Sequence, residues 1–233
     1  MLIVHRLDTN LESVKYPPGE RGYGLNEREF ERGGNMVPKK IHYIWFGRGE
    51  KNERIRHCIE SWEKLGYEIV EWNEDNFPMD ICPFFVDAYE RGKWAYCSDV
   101  ARFWVLYNEG GIYLDTDVEM YQPLDEFLDK AFIGFEDIHY LSTAVIGAEK
   151  NNSVVKLILD YYCAIDFKEY PVWTDYITYE ETSPCIVSNI FELLGLKRDL
   201  DEYQEIKHFK VYPKSYFHTK DEGWTYHSYN GGW

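Results

Sequence analysis

The sequence predicts an α/β protein with a mixed, mostly parallel central sheet, and three observations carry that prediction. From Val37 onward, short runs rich in β-branched and aromatic residues alternate with stretches of helical periodicity. A helix-length run, SDVARFWVLYNE, stops at the paired Gly110 and Gly111 and leads at once into an apolar strand. Hydrophobic residues make up 45% of the chain and aromatics 18%, enough to build one ordered core over 233 residues.

The elements follow in order. KKIHYIWFG reads as a buried first strand that ends at Gly47. In ERIRHCIESWEKLG the apolar positions Ile55, Cys58, Ile59, Trp62 and Leu65 recur at helical spacing, and Gly66 stops the helix. YEIVEW is a short second strand, and Pro83 opens a helix running through Glu90. Ser98 is placed to cap the helix before the glycine pair. Farther on, FIGFE and STAVIGA read as strands, SVVKLILDYYC as an amphipathic helix, and the segment from Tyr212 to Trp233 as aromatic and irregular. Residues 1–36 are polar, rich in Gly, Pro and Glu, and show no period; they read as an extension. Residues 37–233 read as a single domain.

Charge and cysteine usage exclude several classes. A net charge of −16 repels nucleic acid phosphates and anionic lipid surfaces, so neither is expected as a non-specific partner. The five cysteines are scattered, with no CxxC pair, which argues against zinc or a disulfide framework and for a reducing compartment. No apolar run is long enough to span a membrane and no signal peptide is recognisable, so a cytoplasmic location is expected, with peripheral contact at the inner face of the membrane for a membrane-bound substrate.

The chemistry concentrates in GGIYLDTDVEM. If the strand continues through it, Asp115, Asp117 and Glu119 share one face at spacings of about 7 Å. Like charges held that close need a positive partner. In open α/β sheets ligands sit beyond the carboxyl ends of strands, where this triplet falls. Clustered oxygen ligands suit Mg²⁺ or Mn²⁺, ions that bind through one or two carboxylates together with the phosphates of a substrate. Asp99 and Arg102, three apart on the preceding helix, share a face.

Taken whole, SDVARFWVLYNEGGIYLDTDVE resembles the sugar-binding Asp-x-Asp region of glycosyltransferase family 32, and PKKIHYIWFG and YEIVEWNEDNF extend the likeness over residues 37–152. That family includes bacterial capsule and lipopolysaccharide transferases and fungal mannosyltransferases. TSPCIVSNIF and TYHSYNGGW are weaker landmarks of it, and where relatives end in Gly-Ser-Trp this chain has Gly231, Gly232 and Trp233. The resemblance implies a GT-A-like, Rossmann-like fold that binds nucleotide sugars. It implies that Asp117 ligates the metal, Asp115 binds the donor's ribose and sugar, and Asp99 and Arg102 hold the sugar ring and its phosphate link. It further implies that Trp45 stacks on the nucleotide base, and that His227 completes the metal shell while Trp233 contacts the diphosphate. The implied reaction is metal-dependent, retaining transfer of a hexose from a UDP- or GDP-sugar to a glycan or lipid-linked oligosaccharide, in surface polysaccharide synthesis.

Two other classes compete. A haloacid-dehalogenase-like phosphohydrolase also carries Asp-x-Asp after an apolar strand, but its motif continues with a Gly-Thr-like pair, where this chain has Val118 and Glu119. A non-catalytic carbohydrate-binding protein would use the abundant aromatics, 20 Tyr, 13 Phe and 8 Trp, as stacking faces. Affinity for nucleotide sugars separates the transferase from both.

Overall fold

The first strand, β1 (Lys40–Ile44), lies between β2 (Glu68–Trp72) and β3 (Gly111–Leu114) and runs parallel to both. The structure is a computed structural model and describes residues 36–167, 182–220 and 222–229; residues 34–233 form one compact unit. The extension expected over 1–36 lies outside the described residues except for Met36. Among the described residues no helix is long and apolar enough to cross a membrane.

The expected helices form where their signals lie. α1 (Glu53–Lys64) is capped by Asn52, whose side-chain oxygen accepts the Ile55 amide at 3.0 Å. α2 (Pro83–Glu90) starts on its proline. α3 (Trp94–Glu109) begins four residues before the serine expected to cap it. Ser98 is instead a buried mid-helix residue whose hydroxyl donates to the Ala95 carbonyl at 2.7 Å, because Trp94 and Cys97 extend the apolar period backwards. The glycine pair is required where α3 turns into β3. Gly110 and Gly111 have φ of 67° and 113°, and a Cβ on either would fall within 3 Å of backbone from Lys150 or Lys40.

Beyond β3 the chain departs from the expected acidic strand. Residues 115–117 form a turn, closed by the Val118 amide donating to the Asp115 carbonyl at 3.0 Å. The next strand, β4 (Val118–Met120), leaves the main sheet and pairs antiparallel with β9 (Thr225–His227). Asp115, Asp117 and Glu119 therefore do not share one strand face. Glu119 points to α1, with His57 at 3.0 Å and Arg54 at 3.5 Å. The turn is the physical remedy for the repulsion that three like charges on one face would create.

The sheet is completed by β5 (Ala131–Phe135), β6 (Leu141–Ala148), β7 (Gln204–Ile206) and β8 (Phe209–Tyr212), in the order β2-β1-β3-β6-β5-β8-β7. β6 is antiparallel to both β3 and β5, and β8 is parallel to β5, so β1, β2, β3, β5 and β8 all run one way. β6 and the edge strand β7 run the other. This is the mixed, mostly parallel α/β sheet that the alternation predicts. α4 (Ser153–Ala164), capped by Asn152, and α5 (Ser183–Leu193) follow β6.

The segment after Tyr212 is more regular than expected. It carries the short α6 (Lys214–Phe217) as well as β9, and it is held by rings. Trp224 stacks on Tyr216 with centroids 5.1 Å apart, and Phe127 meets both of these rings, Phe217 and Tyr212 edge-on. From the other side, Trp62 of α1 donates its indole N–H to the Val118 carbonyl at 2.8 Å and the Ser61 hydroxyl accepts the Met120 amide. None of the five cysteines is in a disulfide.

One buried histidine ties β1, β2 and the end of α3 together. His42 Nδ1 accepts the Trp72 indole N–H at 3.0 Å, so its Nε2–H donates to the Gly110 carbonyl at 2.8 Å. Burial brings the ring's pKa down to about 4, with the Gly110 hydrogen bond opposing the shift, and the bond accepted from Trp72 requires the neutral form. A value below the unfolded one means that this stability is complete above about pH 6.5 and drains away as pH falls toward 4. Between pH 7 and pH 5, His42 should cost the fold about 2 kcal/mol. Urea unfolding of wild type and His42→Gln at both pH values checks this: the variant should be less stable at pH 7 and lack that share of the acid dependence.

Candidate functional site

The carboxyl ends of β3 and β5 open on the same side of the sheet, and a cavity of about 320 Å³ lies there, walled by Asp99, Arg102, Asp115, Glu136, Ser183 and His227. That volume is at the small end of the ~300–1,000 Å³ range of small-molecule sites. Each side chain reaches it by a different route. Asp99 and Arg102 come from the buried face of α3, Asp115 from the first residue past β3 and Glu136 from the first past β5. Ser183 opens α5, and His227 closes β9.

Arg102 is the hub, only 4% exposed. Its Nε donates to the Ser98 carbonyl at 3.1 Å, one terminal nitrogen donates to the Thr143 carbonyl at 2.8 Å, and the other donates to the Ser98 hydroxyl at 3.1 Å and the Asp99 carboxylate at 2.8 Å. Asp115 lies 3.4 Å from the guanidinium, and Tyr113 supports it from the side. The Tyr113 hydroxyl donates to Asp115 at 2.6 Å while the ring sits 4.7 Å beneath the guanidinium carbon. Burial works against the charge on Arg102, but Asp115, Tyr113 and Asp99 outweigh it and raise the pKa, so the cation is permanent. Burial pushes the Asp99 carboxyl up to about 6, with Arg102 opposing the shift and Asp115 adding to it.

Asp117 is buried, and the two-stranded ribbon delivers His227 to it. Val118 pairs with His227 in the β4–β9 register, and the amide and hydroxyl of Ser228 both donate to the Asp117 carbonyl, at 3.2 and 3.1 Å. His227 Nε2 thus comes within 3.1 Å of the Asp117 carboxylate. Burial lowers the His227 pKa, but the hydrogen bond it donates to Asp117 and the charges of Asp115 and Asp117 reverse the sign and leave it raised. Asp115, Asp117 and His227 each present a ligand atom, all within 4.8 Å of one another. Two carboxylate oxygens and an imidazole nitrogen fit a borderline-hard divalent cation such as Mn²⁺ and are unlike the thiolate sites that favour zinc.

The structure therefore brings together five of the eight residues singled out from the sequence. Asp99, Arg102, Asp115 and His227 line the cavity, and Asp117 joins Asp115 and His227. Glu119 is nearby in sequence yet turned toward α1. Trp45 does not line the cavity: it is buried among the core residues that include Tyr43 and Trp62, and its indole N–H donates to the Gly49 carbonyl at 2.7 Å. Trp233 lies outside the described residues. Sequence reasoning missed Tyr113 and Glu136. Tyr113 could have been found from its place two residues before Asp115, and Glu136 from FIGFE ending on an acid at the same sheet edge.

Comparison with known proteins agrees with this geometry. Residues 52–133 match the family model described as a glycosyltransferase sugar-binding region containing the DXD motif. The chain is 28% identical over 218 residues to inositol phosphoceramide mannosyltransferase 2 of Schizosaccharomyces pombe, covering 84% of this chain and 60% of that protein. It is 31% identical over 137 residues to an uncharacterized glycosyltransferase of Acanthamoeba polyphaga mimivirus, covering 53% of this chain and 54% of the other. The chain thus spans little more than half the length of these curated relatives. Among solved structures, the PaToxG glycosyltransferase superposes with a TM-score of 0.53 at 16% identity, covering 71% of this chain and 73% of that one, a likeness of fold of the GT-A type. Over residues 52–133 the chain is similar to glycosyltransferase sugar-binding regions containing the DXD motif.

Proposed function

We propose that the protein is a metal-dependent, retaining glycosyltransferase that moves a hexose from a UDP- or GDP-sugar to a hydroxyl of a glycan or lipid-linked acceptor. The observation that carries this reading is the convergence of Asp115, Asp117 and His227 on one point beside the buried Arg102. A bound Mn²⁺ would supply the positive charge that a nucleoside diphosphate needs as it leaves. The protein's own residues do the rest. Arg102, locked by the carbonyls of Ser98 and Thr143, holds Asp99 and Asp115 at fixed positions on the cavity wall, where their oxygens can take hydrogen bonds from the donor's sugar and ribose hydroxyls. Its permanent charge faces the link between sugar and phosphate.

Retention is the stereochemical part of the proposal. Asp99 and Asp115 are both tied to Arg102, and Asp117 is engaged with His227, so none of the three is free to attack the anomeric carbon. Front-face attack by the acceptor hydroxyl fits that arrangement. Mannosyl transfer is the reading suggested by the yeast relatives' names. The reading includes a reducing, cytoplasmic location, where a membrane-bound acceptor would be met at the inner face.

A thermal-shift panel of UDP- and GDP-hexoses, with Mn²⁺ and with chelator, tests the donor and the metal together, since a ligand of the folded state raises the melting temperature by mass action. At least one nucleotide sugar should raise it with Mn²⁺ alone. Asp117→Asn should abolish that shift while the unliganded protein remains folded; an undiminished Mn²⁺-dependent shift in this variant would end the metal assignment. Arg102→Lys keeps the charge but loses the planar fork, and turnover should fall about tenfold or more. The product's anomeric configuration, read by NMR, should match the donor's.

A further inference from the structure

Of the four carboxylates at or beside the cavity, three are committed. Asp99 is bound to Arg102 at 2.8 Å, Asp115 takes the Tyr113 hydroxyl at 2.6 Å with Arg102 at 3.4 Å, and Asp117 is paired with His227 at 3.1 Å. Glu136 is different. Its carboxylate lines the cavity yet makes no hydrogen bond or ion pair with any of the described residues.

It is also held firmly. Glu136 follows β5 directly, and its amide donates to the Tyr140 carbonyl at 2.8 Å, closing a tight loop to β6. Asp137 locks that loop by accepting the His139 and Tyr140 amides at 2.7 and 2.9 Å. A rigid, half-buried acceptor group with nothing of its own to accept from is suited to a ligand.

The chemistry of the ligand follows from charge. A free carboxylate repels the oxygens of a diphosphate, so it cannot serve the anionic end of the donor. It attracts a neutral hydroxyl, to which it offers a charge-assisted hydrogen bond of roughly twice the strength of a neutral one. We propose that Glu136 is the residue that binds and orients the acceptor's attacking hydroxyl. The inference rests on the glycosyltransferase reading above and adds an acceptor subsite to it.

In the transfer step the hydroxyl oxygen forms the new bond to the anomeric carbon. The bond from that carbon to the diphosphate oxygen breaks, its electron pair leaves with the diphosphate, and the hydroxyl proton passes to the departing phosphate oxygen. Glu136 fixes the line along which the oxygen approaches and is unchanged at the end.

The test compares wild type with Glu136→Gln, which keeps shape but loses charge, and with Glu136→Asp, which keeps charge but withdraws it by one methylene. UDP and GDP with Mn²⁺, followed by calorimetry, report the donor site; transfer from the nucleotide sugar that shifts the wild-type melting temperature, to a panel of methyl hexosides, reports the acceptor site. Both variants should bind the nucleotide as wild type does and raise the acceptor KM about tenfold, the loss of one charge-assisted hydrogen bond. Nucleotide affinity that falls in parallel would assign Glu136 to the donor site and overturn the inference. So would an acceptor KM and kcat within twofold of wild type in both variants. If no nucleotide sugar binds the wild type with Mn²⁺, the glycosyltransferase reading fails and the acceptor subsite falls with it.

Discussion

One buried guanidinium makes the site affordable to the fold. Arg102 sits between α3 and β6, bonded to carbonyls on both, and it faces Asp99 and Asp115 at once. Without it, two carboxylates would be desolvated side by side, a repulsion of several kcal/mol in a low-dielectric interior. With it, each acid has a fixed partner, and the pair can be held at the mouth of a cavity in one geometry. The Tyr113 ring and hydroxyl complete this arrangement by touching cation and anion together. Such a cluster is weak evidence for stability, since a well-packed apolar replacement is often as stable. Its value lies in placement.

The second constraint is the return of the chain. Asp115 and Asp117 come from the middle of the sequence and His227 from near its end, so the site closes only once β9 has docked on β4. That ribbon has little area of its own. It is braced from below by Trp62 and Ser61 of α1, and at its flank by the stack of Trp224 on Tyr216 around Phe127. Aromatic packing far from the chemistry therefore sets the distance between an imidazole and a carboxylate at the centre of it.

The sheet's direction explains why the remaining side chains meet. β3 and β5 run the same way although they are separated in the sheet by the reversed β6, so the residues following both strands emerge on one edge. Asp115 and Glu136 are the first residues past those two strands, and they become neighbours across β6. β6 contributes backbone between them: the Thr143 carbonyl to Arg102 and the Ala144 carbonyl to the Asp115 amide.

The sequence alone determined the elements whose signals are local. The α/β alternation, the proline at the start of α2, the asparagine-bounded α1 and the glycine pair before β3 are all decided by periodicity, capping and left-handed backbone, which act within a few residues. The i,i+3 spacing likewise put Asp99 beside Arg102. Local rules failed where long-range contacts override them. Ser98 is a competent cap, yet Trp94 and Cys97 had a core to bury in and carried the helix past it. The alternation through Asp115, Asp117 and Glu119 read as one strand, but repulsion at a shared face and the pairing partner waiting in β9 made a turn the lower-energy path. Tertiary structure also decided that Trp45 would be core, because Tyr43 and Trp62 supply an apolar neighbourhood that its strand position could not reveal. And it made Glu136 part of the site, since which strand ends share an edge depends on the order and direction of strands in the sheet, a property of the assembled fold that no short stretch of residues encodes.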